Sequence, residues 1–405
     1  MSFQPEEYRD RWARVGKAMQ VRGYEWLLVW QRGGGAYDRL GDVYWLTHFV
    51  MNGSGQDPAS EEFGAPYTFS AVLIRQGGEP ELHVGLPEAE LDLTGVVCGR
   101  VVSHAQNLSF GLAQHLASLG VEGRVALIGD DLLPGMYDRQ LRAATPQITW
   151  CSEETLLLEP QRVKSAAELQ VFRRAGALVT EALTELVVAL RSGTSSAEAA
   201  SRAAAAIVRG GGGYHRIDIH HGPGTERTLI SQSLYGYDTT VPRTGDLARA
   251  WIFGPILDGY WLDPGRSLTC GAPPTPSQRK LLEAAIEVVD GIVQAMKPGV
   301  TPRQLGVFGG ELARRHGYFD SAQLRLPLLG HGLSTNFIPY VIPMGGGDPD
   351  PDGALQYDVP LEAGMVMASE LFLTHPGVGT VGFEQNVIVT ADGYELLTRT
   401  PMLYP

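Results

Sequence analysis

Basic residues are in deficit: 32 lysines and arginines stand against 45 aspartates and glutamates, a formal net charge of -13 over 405 residues. That balance argues against nucleic acid or an anionic membrane surface as the main partner. Cysteine is scarce, and Cys98, Cys151 and Cys270 show neither paired nor metal-ligand spacing, which suits a reducing cytoplasm. No apolar run reaches the length of a bilayer span, and the N-terminal MSFQPEEYRDRW lacks the apolar segment of a secretory signal. The glycine runs at 33–35 and 210–213 lack phosphate-loop spacing and the Lys-Ser/Thr that follows it, so they read as turns. Asp348-Pro349-Asp350-Pro351-Asp352-Gly353 begins like a calcium loop, but Val359 stands where the last ligand belongs and two prolines intervene, so it reads as an exposed loop. What is left is a cytoplasmic chain, 44% hydrophobic and long enough for two cores.

Periodicity divides that length. Tyr8, Trp12, Val15 and Met19 recur at helical spacing over residues 5–22. Strands are then expected at Glu25–Gln31, Asp42–Val50, Tyr67–Arg75, Glu81–Gly85, Arg100–Ser103, Arg124–Ile128 and Gln147–Trp150, with helices at Ser109–Leu119 and Gly135–Ala144 and a polar loop at Asn52–Ala65. Strands alternating with helices imply a small α/β domain, in which no catalytic motif is read. From Ser165 onward the pattern becomes one of long, capped helices. Ser165-Ala166-Ala167-Glu168 is a capping box, Ser195 to Glu198 caps the next helix, and Thr275 to Gln278 and Thr301 to Gln304 repeat the design. The two cap-to-cap distances differ by about one helical turn. Helix–turn–helix followed by strands, twice over, predicts a pseudo-two-fold α+β domain.

The densest chemistry lies between Gly245 and Gly271. Asp258-Gly259 between apolar runs predicts a hairpin of Arg249–Ile256 and Tyr260–Leu268, with Asp258 as the turn residue. Gly245-Asp246-Leu247, Asp258-Gly259-Tyr260 and Asp263-Pro264-Gly265-Arg266-Ser267 resemble the first metal-site hairpin of the pita-bread family, which includes methionine and Xaa-Pro aminopeptidases, creatinase and one group of dimethylsulfoniopropionate lyases. Arg162-Val163-Lys164-Ser165 resembles its usual domain opening, Gly330-His331-Gly332 its metal-histidine strand, and Leu361 to Val366, leading to Glu370, its first metal glutamate. Val381-Gly382-Phe383-Glu384 holds the second. The resemblance implies an α+β chain whose C-terminal pita-bread domain, residues 159–405, carries the internal repeat and follows a smaller creatinase-like α/β domain, residues 1–158. It also implies a homodimer in which Asn52–Ala65 approaches the neighbouring cleft.

It further implies one cleft holding Asp263, His331, Glu370 and Glu384. A carboxylate on an otherwise apolar strand is expensive to bury unpaired, which favours such a grouping. Metal-dependent relatives carry another aspartate ten to twelve residues before the hairpin aspartate; here Trp251, Ile252 and Phe253 stand there. A second ion would keep only Asp263 and Glu384, so no dinuclear centre is expected. One Fe, Mn or Zn ion on Asp263, His331, Glu370 and Glu384 is chemically open, and so is no metal, as in creatinase. Without an ion, clustered carboxylates share protons, bind a cationic group and offer an acid beside it. The base is then His331 or a histidine of the 214–221 strand. On that strand His215, Ile217, Ile219 and His221 share one face and His220 takes the other; His221, at the repeat position of His331, is the candidate. Leu229 and Ile338 replace the two histidines of Xaa-Pro peptidases, and Phe337 replaces an aspartate of the sulfonium lyases. Trp251, Phe253, Tyr260, Phe337 and Ile338 are the expected substrate pocket. The reading is a creatinase-like enzyme that cleaves a C–N or related bond of a small polar or cationic metabolite. A mononuclear-metal hydrolase or lyase and a non-catalytic binding homologue remain as alternatives.

Overall fold

The computed structural model describes residues 3–32, 41–51, 68–104, 107–226, 233–318, 326, 328–338, 340–347 and 356–402. Asn52–Ala65 and Leu229 lie outside them. The chain divides into two compact units, Met1–Gln161 and Arg162–Pro405. No helix among the described residues is long and apolar enough to cross a membrane.

The first unit runs α1 (Pro5–Arg22), β1 (Trp26–Arg32), α2 (Gly41–Thr47), β2 (Phe69–Arg75), β3 (Glu81–Val84), β4 (Arg100–Ser103), α3 (Leu108–Ser118), β5 (Gly123–Ile128), α4 (Gly135–Ala144), β6 (Ile148–Ser152) and α5 (Leu158–Arg162). Its strands form one mixed sheet in the order β4-β3-β2-β1-β5-β6. Leu28 and Trp30 of β1 face a core shared with Leu112 and Leu116 of α3 and Leu141 of α4. One expectation fails here: residues 42–50 are not a strand, because 41–47 coil into α2. Tertiary contacts decide this, since the buried Arg11 and Trp12 of α1 donate to the carbonyls of Trp45 and Leu46, at 2.7 and 2.8 Å. Carbonyls at a helix end have no partner within their own helix.

The second unit opens with α6 (Ala166–Arg191) and α7 (Ser196–Arg209), then β7 (Arg216–His221), β8 (Leu247–Leu257), β9 (Tyr260–Leu262) and β10 (Gly265–Thr269). The same plan returns with α8 (Pro276–Ala295), α9 (Pro302–Arg315), β11 (Gly330–Leu333), β12 (Phe337–Ile338), β13 (Val366–His375), β14 (Gly379–Val389) and β15 (Tyr394–Leu396). The capping boxes at Ser165, Thr275 and Thr301 form in full, and Ser195 accepts from the Glu198 N–H. The sheet order is β12-β11-β13-β14-β10-β8-β7, with β9 on β8 and β15 on β14. The long helices cover one face, α6 over β8 and α8 over β13 and β14; the site occupies the other. Asp258 and Gly259 both take left-handed backbone, φ 48 and 78, as the Asp-Gly hairpin requires. The second hairpin strand breaks at Asp263-Pro264, where Pro264 has no N–H for a ladder and the Asp263 N–H leaves it for Asn386 Oδ1, at 3.1 Å.

Candidate active site

Neighbouring strands bring four acceptor-rich side chains to one point. Glu370 on β13 and Glu384 on β14 are direct cross-strand partners, and Gly265 on β10 pairs with Glu384 from the other side. His331 on β11 pairs with Ala368, two residues from Glu370 on β13. Its approach depends on Gly330, where a Cβ would sit 2.1 Å from the Ala368 carbonyl oxygen. Asp263 reaches in from the β9–β10 break. His331 Nε2 lies 3.2 Å from Asp263 Oδ2, 3.6 Å from Glu370 Oε1 and 3.9 Å from Glu384 Oε1. Asn386 Nδ2 donates to Asp263 Oδ1 at 2.6 Å and fixes the carboxylate plane.

Such crowding cannot leave every acid ionised. Burial pushes Glu384 well above the usual carboxyl range, and the charges of Asp263 and Glu370 add to it. Burial likewise raises Glu370 to about 7, against the pull of His331. Burial works against ionised Asp263 too, but the charge and hydrogen bonds of its neighbours, His331 first, bring it below its ordinary value. Burial would neutralise His331, yet Asp263 and Glu370 outweigh it and lift the imidazole to about 9. Near neutrality the cluster therefore favours an imidazolium–aspartate pair beside two glutamates that hold protons more tightly than an ordinary carboxylate, with Glu370 titrating in that range.

Trp251 completes the floor. Its strand β8 pairs with β10 so that Trp251 lies opposite Gly265, and its indole crosses that glycine to donate from Nε1 to Glu384 Oε2 at 2.7 Å. Phe372 stacks on it, with centroids 4.8 Å apart and planes at 21°. Glycine is needed beneath this stack: a Cβ at 265 would fall 1.8 Å from the Trp251 ring, and one at 382 would fall 2.6 Å from both rings. Gly265→Ala should consequently displace the indole from Glu384, destabilise the chain by about 1–3 kcal/mol through overpacking, and shift the tryptophan emission. A thermal melt with fluorescence checks this, and unchanged emission would mean the indole is not held there.

The same cavity is lined by Asp218, His220, Arg249, Phe253 and Leu326. Asp218 and His220 pair with Trp251 and Arg249 across β7 and β8, so period-two alternation puts all four, with Phe253, on one face. Arg249 Nη2 lies 2.8 Å from His220 Nδ1. The expected base on this strand is corrected by that register. His221 turns away with Ile217 and Ile219, and its Nε2 meets Thr240 Oγ1 at 3.1 Å; His220 faces the cleft. Tyr260 is corrected too: it is buried on the helical side, donating to Glu168 Oε1 at 2.9 Å and packing edge-on against Phe172. Trp251 and Phe253 do line the cavity. Phe337 and Ile338 form β12 beside β11, with their side chains outside the described residues. Arg249, Asp218 and Phe372 were missed, while His220 was named with its strand and passed over for His221. The signal for Arg249 was available, since it precedes Trp251 by one period-two step.

The sequence profile described as metallopeptidase family M24 matches residues 170–391, more than half of the chain. An Xaa-Pro dipeptidase of Lactobacillus helveticus is 25% identical over 288 residues, 68% of this chain and 70% of that protein. Among solved structures, dipeptidase PepE from Mycobacterium ulcerans superposes with a TM-score of 0.74 at 21% identity, covering 99% of this chain and 98% of its own. An Xaa-Pro dipeptidase from Bacillus anthracis does so at 0.75 and 18% identity, covering 98% and 100%. These likenesses establish the pita-bread fold.

Proposed function

The chain belongs to metallopeptidase family M24, and from that premise we propose that it hydrolyses a C–N bond of a small polar substrate, using Asp263, His331, Glu370 and Glu384 without a two-metal centre. The observation that carries this reading is the Trp251 indole N–H on Glu384 Oε2. In a two-ion centre that oxygen would face a cation, and residues 251–253 offer no carboxylate to hold one. The remaining donors suit a single Fe, Mn or Zn ion. Asp263, His331 and Glu384 each place a ligand atom within 4.8 Å of the others, and Glu384 Oε1 is buried with no hydrogen-bond partner among the described residues. An ion held there would supply Lewis acidity to a carbonyl or to water.

The protein's own groups have separate tasks. Asn386 holds Asp263 in place, while the facing Glu370 and Glu384 keep a proton beside His331 Nε2. A leaving nitrogen that must gain a proton, and a water that must lose one, both find a partner there. The Trp251–Phe372 stack excludes water on one side. Arg249, two per cent exposed, suits a substrate carboxylate. The substrate is thus read as small and zwitterionic, with its cationic or amide end at the acids and its carboxylate at Arg249. On this reading, Arg249→Met raises KM by about 10- to 100-fold, the worth of a charge-assisted hydrogen bond, and changes kcat less. The assay is turnover of guanidino acids, N-substituted amino acids and proline dipeptides. An unchanged KM for the best of them would remove the carboxylate assignment.

A second reading is a one-metal dipeptidase, favoured by the activity in the names of its relatives. Elemental analysis of untagged protein, combined with the substrate panel, separates the two. About one ion per chain, with alanyl-proline hydrolysis abolished by chelation, selects the dipeptidase; less than a tenth of an ion with retained turnover selects metal-free acid–base cleavage. A ligand that stabilises the chain and is recovered unchanged would point instead to a binding homologue. We further propose a cytoplasmic homodimer, which light scattering at working concentration tests.

A further inference from the structure

A second cluster lies in the N-terminal unit, far along the chain from the residues discussed above. Glu81 and His83 are two apart on β3 and so share a face of the sheet. His104 follows β4, which runs parallel to β3, and His115 comes from the last turn of α3. No ligand motif joins these positions in the sequence; strand pairing and the packing of α3 over β3 bring them together.

The hydrogen bonding of the cluster does not close on itself. His115 Nε2 lies 2.8 Å from Glu81 Oε2 and 3.1 Å from Arg100 Nη2. A protonated Nε2 donates to the glutamate but then confronts the guanidinium donor. An unprotonated Nε2 accepts from Arg100 but then sets its lone pair against a carboxylate oxygen. His83 is fully buried, and its Nε2, 3.5 Å from the same Glu81 oxygen, has no hydrogen-bond partner among the described residues. The other His83 nitrogen, Nδ1, is 2.8 Å from His104 Nε2, with the two rings within 6° of parallel. That contact orients the His83 ring with Nε2 toward the carboxylate, as outer partners orient metal-ligating histidines. Space for the His104 ring exists only because position 111 on α3 is glycine, since a Cβ there would lie 2.5 Å from His104 Nδ1.

Spacing identifies what would satisfy these acceptors. Glu81, His83 and His115 place one ligand atom each within 4.8 Å of one another. A tetrahedral ion with bonds of roughly 2.0–2.1 Å to nitrogen and oxygen has ligand atoms about 3.3 Å apart, and the two separations at Glu81 Oε2, 2.8 and 3.5 Å, bracket that edge. Two imidazoles and one carboxylate select zinc or a neighbouring late first-row divalent cation over calcium or magnesium. We infer that Glu81, His83 and His115 form a binding site for one such ion, held in orientation by His104, which ties α3 to β3 within the N-terminal unit. Arg100, whose side chain is half-exposed, bonds Glu81 Oε1 at 2.8 Å and is the group that the ion displaces from His115.

The test is equilibrium dialysis and calorimetry with zinc alone, on full-length chain in which His331→Ala and Glu384→Gln disable the cleft. One equivalent should bind, His115→Ala should weaken it at least tenfold, and Arg100→Gln should tighten it by removing the competing cation. Circular dichroism guards against unfolding; because His83 is fully buried, His115→Ala and Arg100→Gln carry the decision. No zinc bound by the cleft-disabled chain, or equal binding with and without His115, would overturn the site. Tightening by Arg100→Gln has no explanation in a purely structural hydrogen-bond network. None of these outcomes depends on what the cleft does.

Discussion

Glu370→Gln should leave the fold intact and reduce turnover of the best C–N substrate by about 10²–10⁴-fold, the usual worth of a positioned proton-transfer group. The amide matches the carboxyl in shape, so packing on β13 is preserved, but it can neither give nor take the proton. Glu370 lies 3.6 Å from His331 Nε2 and directly across from Glu384, so the two glutamates share one proton inventory. Glu384→Gln should consequently fall by a similar factor, and the double variant little further, because groups that act as a unit are not additive. Product release followed by mass spectrometry, with circular dichroism alongside, is the check. Full turnover by either variant would end the acid–base reading and leave the chain a binder, or an enzyme working elsewhere.

The largest stability effect is expected at Arg266. Its guanidinium, with no exposure, donates to the carbonyls of Gly265, Glu384, Thr400 and Pro401 and to Gln385 Oε1, all between 2.7 and 3.1 Å. Arg266→Met fills the space with an apolar stem and strands those acceptors in the interior. Each unsatisfied group costs about 1–3 kcal/mol; with partial relaxation the whole should cost about 3–5 kcal/mol, comparable to breaking a buried charged network. For a unit of this size that lowers Tm by roughly 10 °C. Arg266→Lys should recover only a fraction, because an ammonium cannot reproduce the planar fork. A loss under about 1 kcal/mol would show that water reaches these carbonyls after all. Since Arg266 braces the backbone of Glu384 and Gly265, its loss should also loosen the Trp251 contact.

Much of the second unit was legible because its determinants are local. Capping boxes at Ser165, Thr275 and Thr301 need only residues three apart, and the Asp258-Gly259 turn needs only backbone freedom at two positions. Both form as the side-chain chemistry dictates. Asp263, His331, Glu370 and Glu384 were found through a resemblance rather than through any local rule, and strand pairing gathers them into one cluster. The N-terminal strands were readable as short apolar runs, Trp26–Trp30 and Ala71–Ile74 among them, whereas residues 42–50 were not. Val43, Trp45 and Leu46 fit either period, and the donors that stabilise α2 come from Arg11 and Trp12, more than thirty residues earlier.

What the sequence alone determined is therefore periodic or adjacent: element types, caps, turns, the repeat, and which residues of a strand share a face. It separated His220 from His221 correctly but could not say which of the two faces the cleft, because that depends on β7 pairing with β8 and on the helices covering Ile217 and Ile219. Tertiary structure decided that choice. It also laid Trp251 across Gly265 onto Glu384, put Arg249 in the cavity and Tyr260 behind it, and assembled Glu81, His83, His104 and His115. The reason is common to all of them: each is a relation between side chains on different strands or helices. Such relations follow from register and packing, which a single stretch of sequence does not carry.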